Sequence, residues 1–207
     1  MALFADRAHA GRDLAGSLER WRGTDAVVVG IARGGVVVAD VVADTLALPL
    51  TAIAVRKLGV PGHEEVALGA IAAGVRVVDA RAASRSGVDD EQLAVIEARE
   101  RETLMRRQRL IPDAAVDVRG RTVLLIDDGV ATGATANAAA RGIRTARPGR
   151  VVLAVPVAPA EWRPDTDAVD EFVCPHPIER LWAVGAHYDD FTQTADEDVA
   201  TILARGR

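Results

Sequence analysis

Val123-Leu-Leu-Ile-Asp-Asp-Gly-Val-Ala-Thr-Gly-Ala-Thr135 is the stretch that decides how this chain folds. Its apolar start, Val123 to Ile126, runs straight into two carboxylates, Asp127 and Asp128. Thr122 to Ile126 reads as the clearest strand, since a continuous apolar run suits burial on both faces of a parallel sheet. A loop of small residues follows, and Ala134 to Arg147 then reads as a helix closed by Pro148 and Gly149. In an open α/β sheet, ligands bind beyond the carboxyl ends of the strands. Backbone N–H groups of such a loop can close on a phosphate, with the positive end of the helix behind them. Thr132 and Thr135 add hydroxyl donors. Two adjacent carboxylates repel a phosphate; they suit a sugar diol, or a metal held through water. The segment lacks the spacing and lysine of a Walker loop, and Gly30-Ile-Ala-Arg-Gly-Gly35 breaks the dinucleotide fingerprint.

The flanking sequence repeats the strand–helix alternation. Leu3 to Trp21 reads as an amphipathic helix, Asp25 to Ile31 as a buried strand and Val36 to Leu46 as a helix. Leu50 to Val55 is a short strand, and Lys57 to Glu65 reads as a loop broken by Gly59, Pro61 and Gly62. Ala67 to Val78 reads as one or two strands, with a hairpin near Ala73 and Gly74. Asp89 to Leu110 is a charged helix with acids at its start and arginines at its end, as the helix dipole favours. Glu97/Arg101 and Glu102/Arg106 are i,i+4 pairs, which marks a solvated face rather than a nucleic-acid surface. Val151 to Val155 and Glu171 to Cys174 are further strands, and the tail from Glu179 is irregular, then helical. The order predicts an α/β fold, a mainly parallel twisted sheet flanked by helices.

Composition narrows the class. The chain has 207 residues, 49% hydrophobic and 27% charged, with a formal net charge of −5. That suits one domain over residues 1–207, with a core at about 24–175 and a tail at about 176–207. The acidic balance disfavours nucleic acid as a partner. Cys174, the one cysteine, excludes an internal disulfide or a multi-cysteine zinc site. No segment reaches the roughly 18 apolar residues of a membrane span. Met1 to His9 has acids and no apolar core, unlike a secretory leader, so a cytoplasmic location is the expectation. Lys57 is the one lysine among 25 basic residues; where arginine otherwise serves, a retained lysine marks a special position.

Val123 to Thr135 resembles the phosphoribosyl pyrophosphate (PRPP) motif of the type I phosphoribosyltransferases. The resemblance implies that Asp127 and Asp128 bind the ribose hydroxyls, and hold Mg²⁺ through water or PRPP. It implies that Val130, Ala131, Thr132, Gly133, Ala134 and Thr135 surround the 5′-phosphate. Ile31-Ala-Arg-Gly-Gly35 is similar to the family's pyrophosphate loop, which gives Arg33, Gly34 and Gly35 the leaving group. Arg56-Lys57, then Pro61-Gly62-His63-Glu64, resembles the start of a mobile loop, with Lys57 as a pyrophosphate-binding cation. Ala131 stands where 6-oxopurine enzymes carry an aspartate, as in adenine-specific members, and no residue of the loop is an evident general base.

The resemblance also implies a small C-terminal hood over the acceptor base. Phe172, Trp182, Tyr188 and Phe191 concentrate aromatic rings there, and Val184 to Phe191 is the candidate loop, with Tyr188 and Phe191 against the base. The alternative is packing of the tail onto the core. The implied reaction moves the phosphoribosyl group from PRPP to a nitrogenous base, releases pyrophosphate, serves nucleotide salvage and runs in a homodimer. The alternative is a non-catalytic PRPP or nucleotide sensor on the same fold. An amidotransferase relative would need an N-terminal nucleophilic cysteine, which Cys174 is not.

Overall fold

The computed structural model describes residues 2–60, 63–72, 74–109, 111 and 116–205, with backbone alone for 63–66, 80 and 81. Seven strands form the main sheet in the order β4-β3-β2-β1-β5-β6-β8. They are β1 (Val27–Ala32), β2 (Leu50–Val60), β3 (His63–Ala72), β4 (Val75–Val78), β5 (Thr122–Ile126), β6 (Arg150–Ala154) and β8 (Glu171–Val173). From β2 through β8 the neighbours are parallel, and β3 and β4 add an antiparallel edge. The sheet is therefore mainly parallel with helices on both faces, as the strand–helix alternation predicts. Two further strands, β7 (Val157–Pro159) and β9 (His176–Ile178), form a small parallel pair of their own.

Period two sorts the central side chains to two cores. Val27, Val29 and Ile31 of β1 and Val123 and Leu125 of β5 face α5 (Ala134–Arg144), which offers Ala136, Ala139, Ala140 and Ile143. Val28, Leu124 and Ile126 face the opposite way, towards α1 (Arg7–Ser17) and α2 (Gly34–Leu46), through Leu14, Val38, Val42 and Leu46. A short helix, α3 (Ala80–Ser86), follows β4. Over the antiparallel edge lies α4 (Asp90–Gln108), whose Leu93 and Leu104 pack on Leu58, Leu68 and Ile71. Asp89 caps α4 in a reciprocal box with Gln92. The last helix, α6 (Asp196–Ala204), sets Val199 and Leu203 against Val36 and Ala52.

Three expectations change. Lys57 to Val60 is not a loop: β2 runs on to Val60 and pairs with β3 as a hairpin, Lys57 opposite Ala70 and Leu58 opposite Gly69. Register shifts on both sides of Gly59 absorb the glycine as an irregularity in the ladder, while Leu58 is fully buried under α4. Pro61 and Gly62 lie outside the described residues, as do the side chains of His63 and Glu64. The first helix starts at Arg7 rather than Leu3, because Asp6 caps it by accepting the His9 N–H at 2.7 Å. The helix after β1 starts at Gly34, so Gly34 and Gly35 form its first turn rather than a loop. The β7–β9 pair and α3 have no sequence counterpart, since their runs are too short to show a period.

Leu125 is 0% exposed in the middle of the sheet, whereas Val95 on the outer face of α4 is 68% exposed. Leu125→Ala should cost about 2–5 kcal/mol in denaturant unfolding. Val95→Ala should stay within about 0.5 kcal/mol.

Candidate functional site

Three neighbouring strands deliver the predicted residues to one edge of the sheet. The register pairs Gly30 with Ile126 and Ala32 with Ala54. Asp127 and Asp128 thus leave β5 beside the turn from β1 into α2, with Arg33 at that turn. Arg56 and Lys57 lie just beyond Ala54 on β2. The approach is close enough to require glycine. A Cβ on Gly34 would overlap the Asp128 carboxylate, and one on Gly35 would lie 2.7 Å from the Ile126 carbonyl oxygen.

The two acids are largely withdrawn from water. Burial pushes the Asp127 carboxyl well above the usual carboxylate range, and the neighbouring Asp128 charge adds to it. Asp127 Oδ1 accepts the Asp128 backbone N–H at 2.9 Å. Burial also raises Asp128, against the pull of Arg7, whose Nε donates to Oδ2 at 2.7 Å. Arg7 is itself held: Nη1 donates to the Thr192 carbonyl at 2.8 Å, and the guanidinium lies 3.9 Å over the Phe191 ring.

A cavity of about 230 Å³ opens in front of these acids. Asp127, Asp128, Val130, Ala131, Thr132, Gly133 and Thr135 line it, together with Lys57 of β2 and Val184 of the tail. Gly133 takes a left-handed conformation, φ 83°, and N-caps α5, so Ala134 and Thr135 begin the helix at the cavity wall. A second cavity of about 230 Å³ lies between β2 and α4, lined by Arg56, Lys57, Arg99 and Glu100 among others. Lys57 borders both. Arg33 does not line the first cavity; its Nη1 lies 3.5 Å from Asp196 Oδ1 of α6.

The tail aromatics are placed differently from the expectation for Tyr188 and Phe191. Tyr188 is buried, donates its hydroxyl to the Asp128 carbonyl at 2.6 Å, and packs on Phe4 and Phe191. Its phenol titrates above the ordinary range because of burial, then the Asp128 charge. Phe191 carries Arg7 on one face. Both rings therefore support Asp128, which is the packing alternative. Trp182 is instead 94% exposed, two positions before the cavity-lining Val184. At the chain's other end, Phe4 bridges to Tyr188 and Asp6 caps α1. Arg7 was not legible, since it is one of many arginines and acts through a contact distant in sequence.

The donor set fits a hard cation only in part by itself. Among the described residues no group of three or more His, Cys, Asp or Glu converges. Two adjacent carboxylates match the way Mg²⁺ is held by one or two acids plus substrate oxygens. No described helix is long and apolar enough to cross a membrane.

The fold is thus a mainly parallel α/β sheet with paired acids and a small-residue turn at one strand end. The phosphoribosyl transferase domain model matches residues 5–190, and the chain belongs to that family. It is 40% identical over 209 aligned residues to a provisionally named phosphoribosyl transferase of Mycobacterium tuberculosis, found in strains CDC 1551 and H37Rv. The alignment covers 99% of this chain and 47% of the relative. The chain thus spans about half the length of the curated relatives it matches. The crystal structure of TT1426 from Thermus thermophilus superposes with a TM-score of 0.75 at 41% identity, covering 98% of both chains.

Because their folded-state values are raised, Asp127 and Asp128 bind protons more tightly folded than unfolded. Their contribution to stability is full below the ordinary carboxylate range and is lost as pH rises through the raised values. Asp127→Asn should therefore melt higher than the parent at pH 7 in metal-free buffer. The difference should shrink as pH falls towards about 4, which a pH series of thermal melts reads.

Proposed function

We propose that this domain transfers the 5-phosphoribosyl group from PRPP to a ring nitrogen of a nucleobase-like acceptor, with release of pyrophosphate. One observation carries the reading: Lys57 of β2 lines the same cavity as the Asp127–Thr135 loop. Such a cavity brings together anion donors, diol acceptors and a cation, the three kinds of group that PRPP calls for.

In this reading the Val130–Thr135 loop takes the 5′-phosphate on its N–H groups and the Thr132 and Thr135 hydroxyls. Asp127 and Asp128 accept from the ribose hydroxyls and fix the ring. As the C1′–oxygen bond breaks, its electron pair leaves with pyrophosphate and positive charge spreads over the ribose. The acids lie near that developing cation, and Lys57, with Arg33 and the Gly34–Gly35 backbone, faces the developing anion. The acceptor nitrogen then forms the C1′–N bond and sheds its proton to solvent. Mg²⁺, held by Asp127 and Asp128 together with substrate oxygens, would supply further positive charge to the leaving group. Arg56, paired to Glu100 at 2.6 Å, keeps the β2 end aligned.

Trp182 is the proposed acceptor platform. A bare indole beside the cavity-lining Val184 can stack on a planar base, and Ala131 leaves the nearby loop without an acid, which favours adenine-like acceptors. Nucleotide salvage, a homodimer and a cytoplasmic setting belong to the same reading.

Two measurements test it. Pyrophosphate release should appear with PRPP, Mg²⁺ and one member of a panel of purine and pyrimidine bases. PRPP binding without release on any base would instead make the domain a sensor. Trp182→Ala should raise the acceptor KM by about tenfold, the loss of roughly 1–3 kcal/mol of stacking, and leave PRPP affinity unchanged. An equal rise for PRPP would place Trp182 elsewhere.

A further inference from the structure

α4 and α6 add charges at the edge of the site that the phosphoribosyl motifs do not account for. Arg107, near the end of α4, has a side chain only 12% exposed. Its Nε is buried without a hydrogen bond, although Asp196 Oδ1 lies 3.6 Å away. The same Asp196 oxygen lies 3.5 Å from Arg33 Nη1. One carboxylate oxygen therefore serves two guanidiniums, and both contacts are long for charge-assisted hydrogen bonds, which run near 2.7–2.9 Å at roughly ideal geometry. Arg56 stands close by, paired with Glu100. Arg107 loses its proton more readily than usual, at about 10, first because of burial and then because of the Arg56 and Arg33 charges. Three cations thus share two carboxylates.

We propose that Asp196 of α6 is an internal stand-in for the leaving diphosphate: it holds Arg33, which the phosphoribosyl reading assigns to pyrophosphate, together with Arg107 until a diphosphate displaces it. The proposal rests on the phosphoribosyl reading for the identity of its ligand. Asp196 brings one charge and one oxygen to two planar donors built for bidentate partners. A phosphate group carries about −1.5 to −2 charge and three acceptor oxygens. It can satisfy the orphaned Arg107 Nε and still reach Arg33. Asp196 can yield without unfolding the tail. It sits at the first residue of α6, is 32% exposed, and the helix is anchored further on by Val199 and Leu203. With Asp196 released, the Arg33 guanidinium keeps its place at the turn into α2 and exchanges one carboxylate oxygen for the oxygens of the leaving group.

The sign of the effect makes the test sharp. Calorimetry with inorganic pyrophosphate, and separately with PRPP, should show Asp196→Asn binding about threefold tighter or more. Arg107→Met should bind more weakly than the parent, and adding Asp196→Asn to it should recover less than Asp196→Asn gains alone. Glu197→Gln removes the same charge one residue away and should change neither affinity. Asp196→Asn with unchanged or weaker affinity overturns the proposal, as does an equal gain from Glu197→Gln. If the parent binds PRPP and pyrophosphate normally in those cases, only the stand-in role is lost. A parent protein that binds neither ligand overturns the phosphoribosyl reading and the subsite together.

Discussion

Two consecutive carboxylates held at the end of a buried strand are expensive, and much of this molecule is arranged around that cost. Each acid loses water, and Asp127 also feels the charge of Asp128. Arg7 supplies the compensating charge to Asp128, and the backbone N–H of Asp128 turns back onto Asp127. Stranding such a carboxylate by removing its partner costs roughly 3–5 kcal/mol in buried pairs. The guanidinium therefore has to be fixed, which Phe191 and the Thr192 carbonyl achieve. Tyr188 ties the Asp128 carbonyl to Phe4, so the chain's start and tail close on the same two residues. Gly34 and Gly35 let α2 begin directly against them. A substrate diol, or a cation, would relieve the same strain that these contacts only moderate.

The parallel centre of the fold was legible because its residues obey one rule each. β5 falls at Thr122–Ile126 as read, because four apolar residues between Arg121 and Asp127 admit no other extent. The β2–β3 hairpin was hidden by Gly59, which reads as a breaker in one dimension and as a ladder irregularity in two. The loop at Val130–Thr135 was visible because its chemistry is contiguous in sequence. Arg7, Arg107 and Asp196 were not, because an ion pair between residues far apart along the chain leaves no local trace. Tyr188 stayed open between two readings for a related reason: an aromatic in a tail is equally suited to stacking on a ligand or on Phe4, and only burial separates the two.

Arginine and lysine divide the work here according to their chemistry. The long-range clasps, Arg7–Asp128, Arg56–Glu100 and Arg144–Asp170, all use the planar fork that orients as well as charges its partner. Lys57 borders both cavities beside the acids and beside Arg56. A compact ammonium on a flexible stem can follow a group whose position changes during bond breaking, which a rigid guanidinium fork does less well. The extension of β2 past its parallel partner gives that flexible cation a firm base. Ala32 ends β1 opposite Ala54, whereas β2 continues to Val60 against β3. The antiparallel edge is thus the part of the sheet that carries the opposing wall.

The aromatic residues show the same division between holding and meeting. Phe4, Tyr188 and Phe191 pack on one another and on Arg7, so their rings are committed to the acid pair. Trp162 lies edge-on to Phe172 and against Gly133, bracing the turn that opens α5. Trp182 alone among the described aromatics is left almost wholly in water, in a segment whose Val184 touches the cavity. An indole in water forgoes the stabilisation that burying its large apolar face would bring. The fold has packing sites within a few residues of it, in the Leu181, Val184 and Phe191 cluster, and leaves the indole outside them. A ring kept out of an adjacent core, two residues from a cavity-lining valine, is available to a flat partner bound at that cavity.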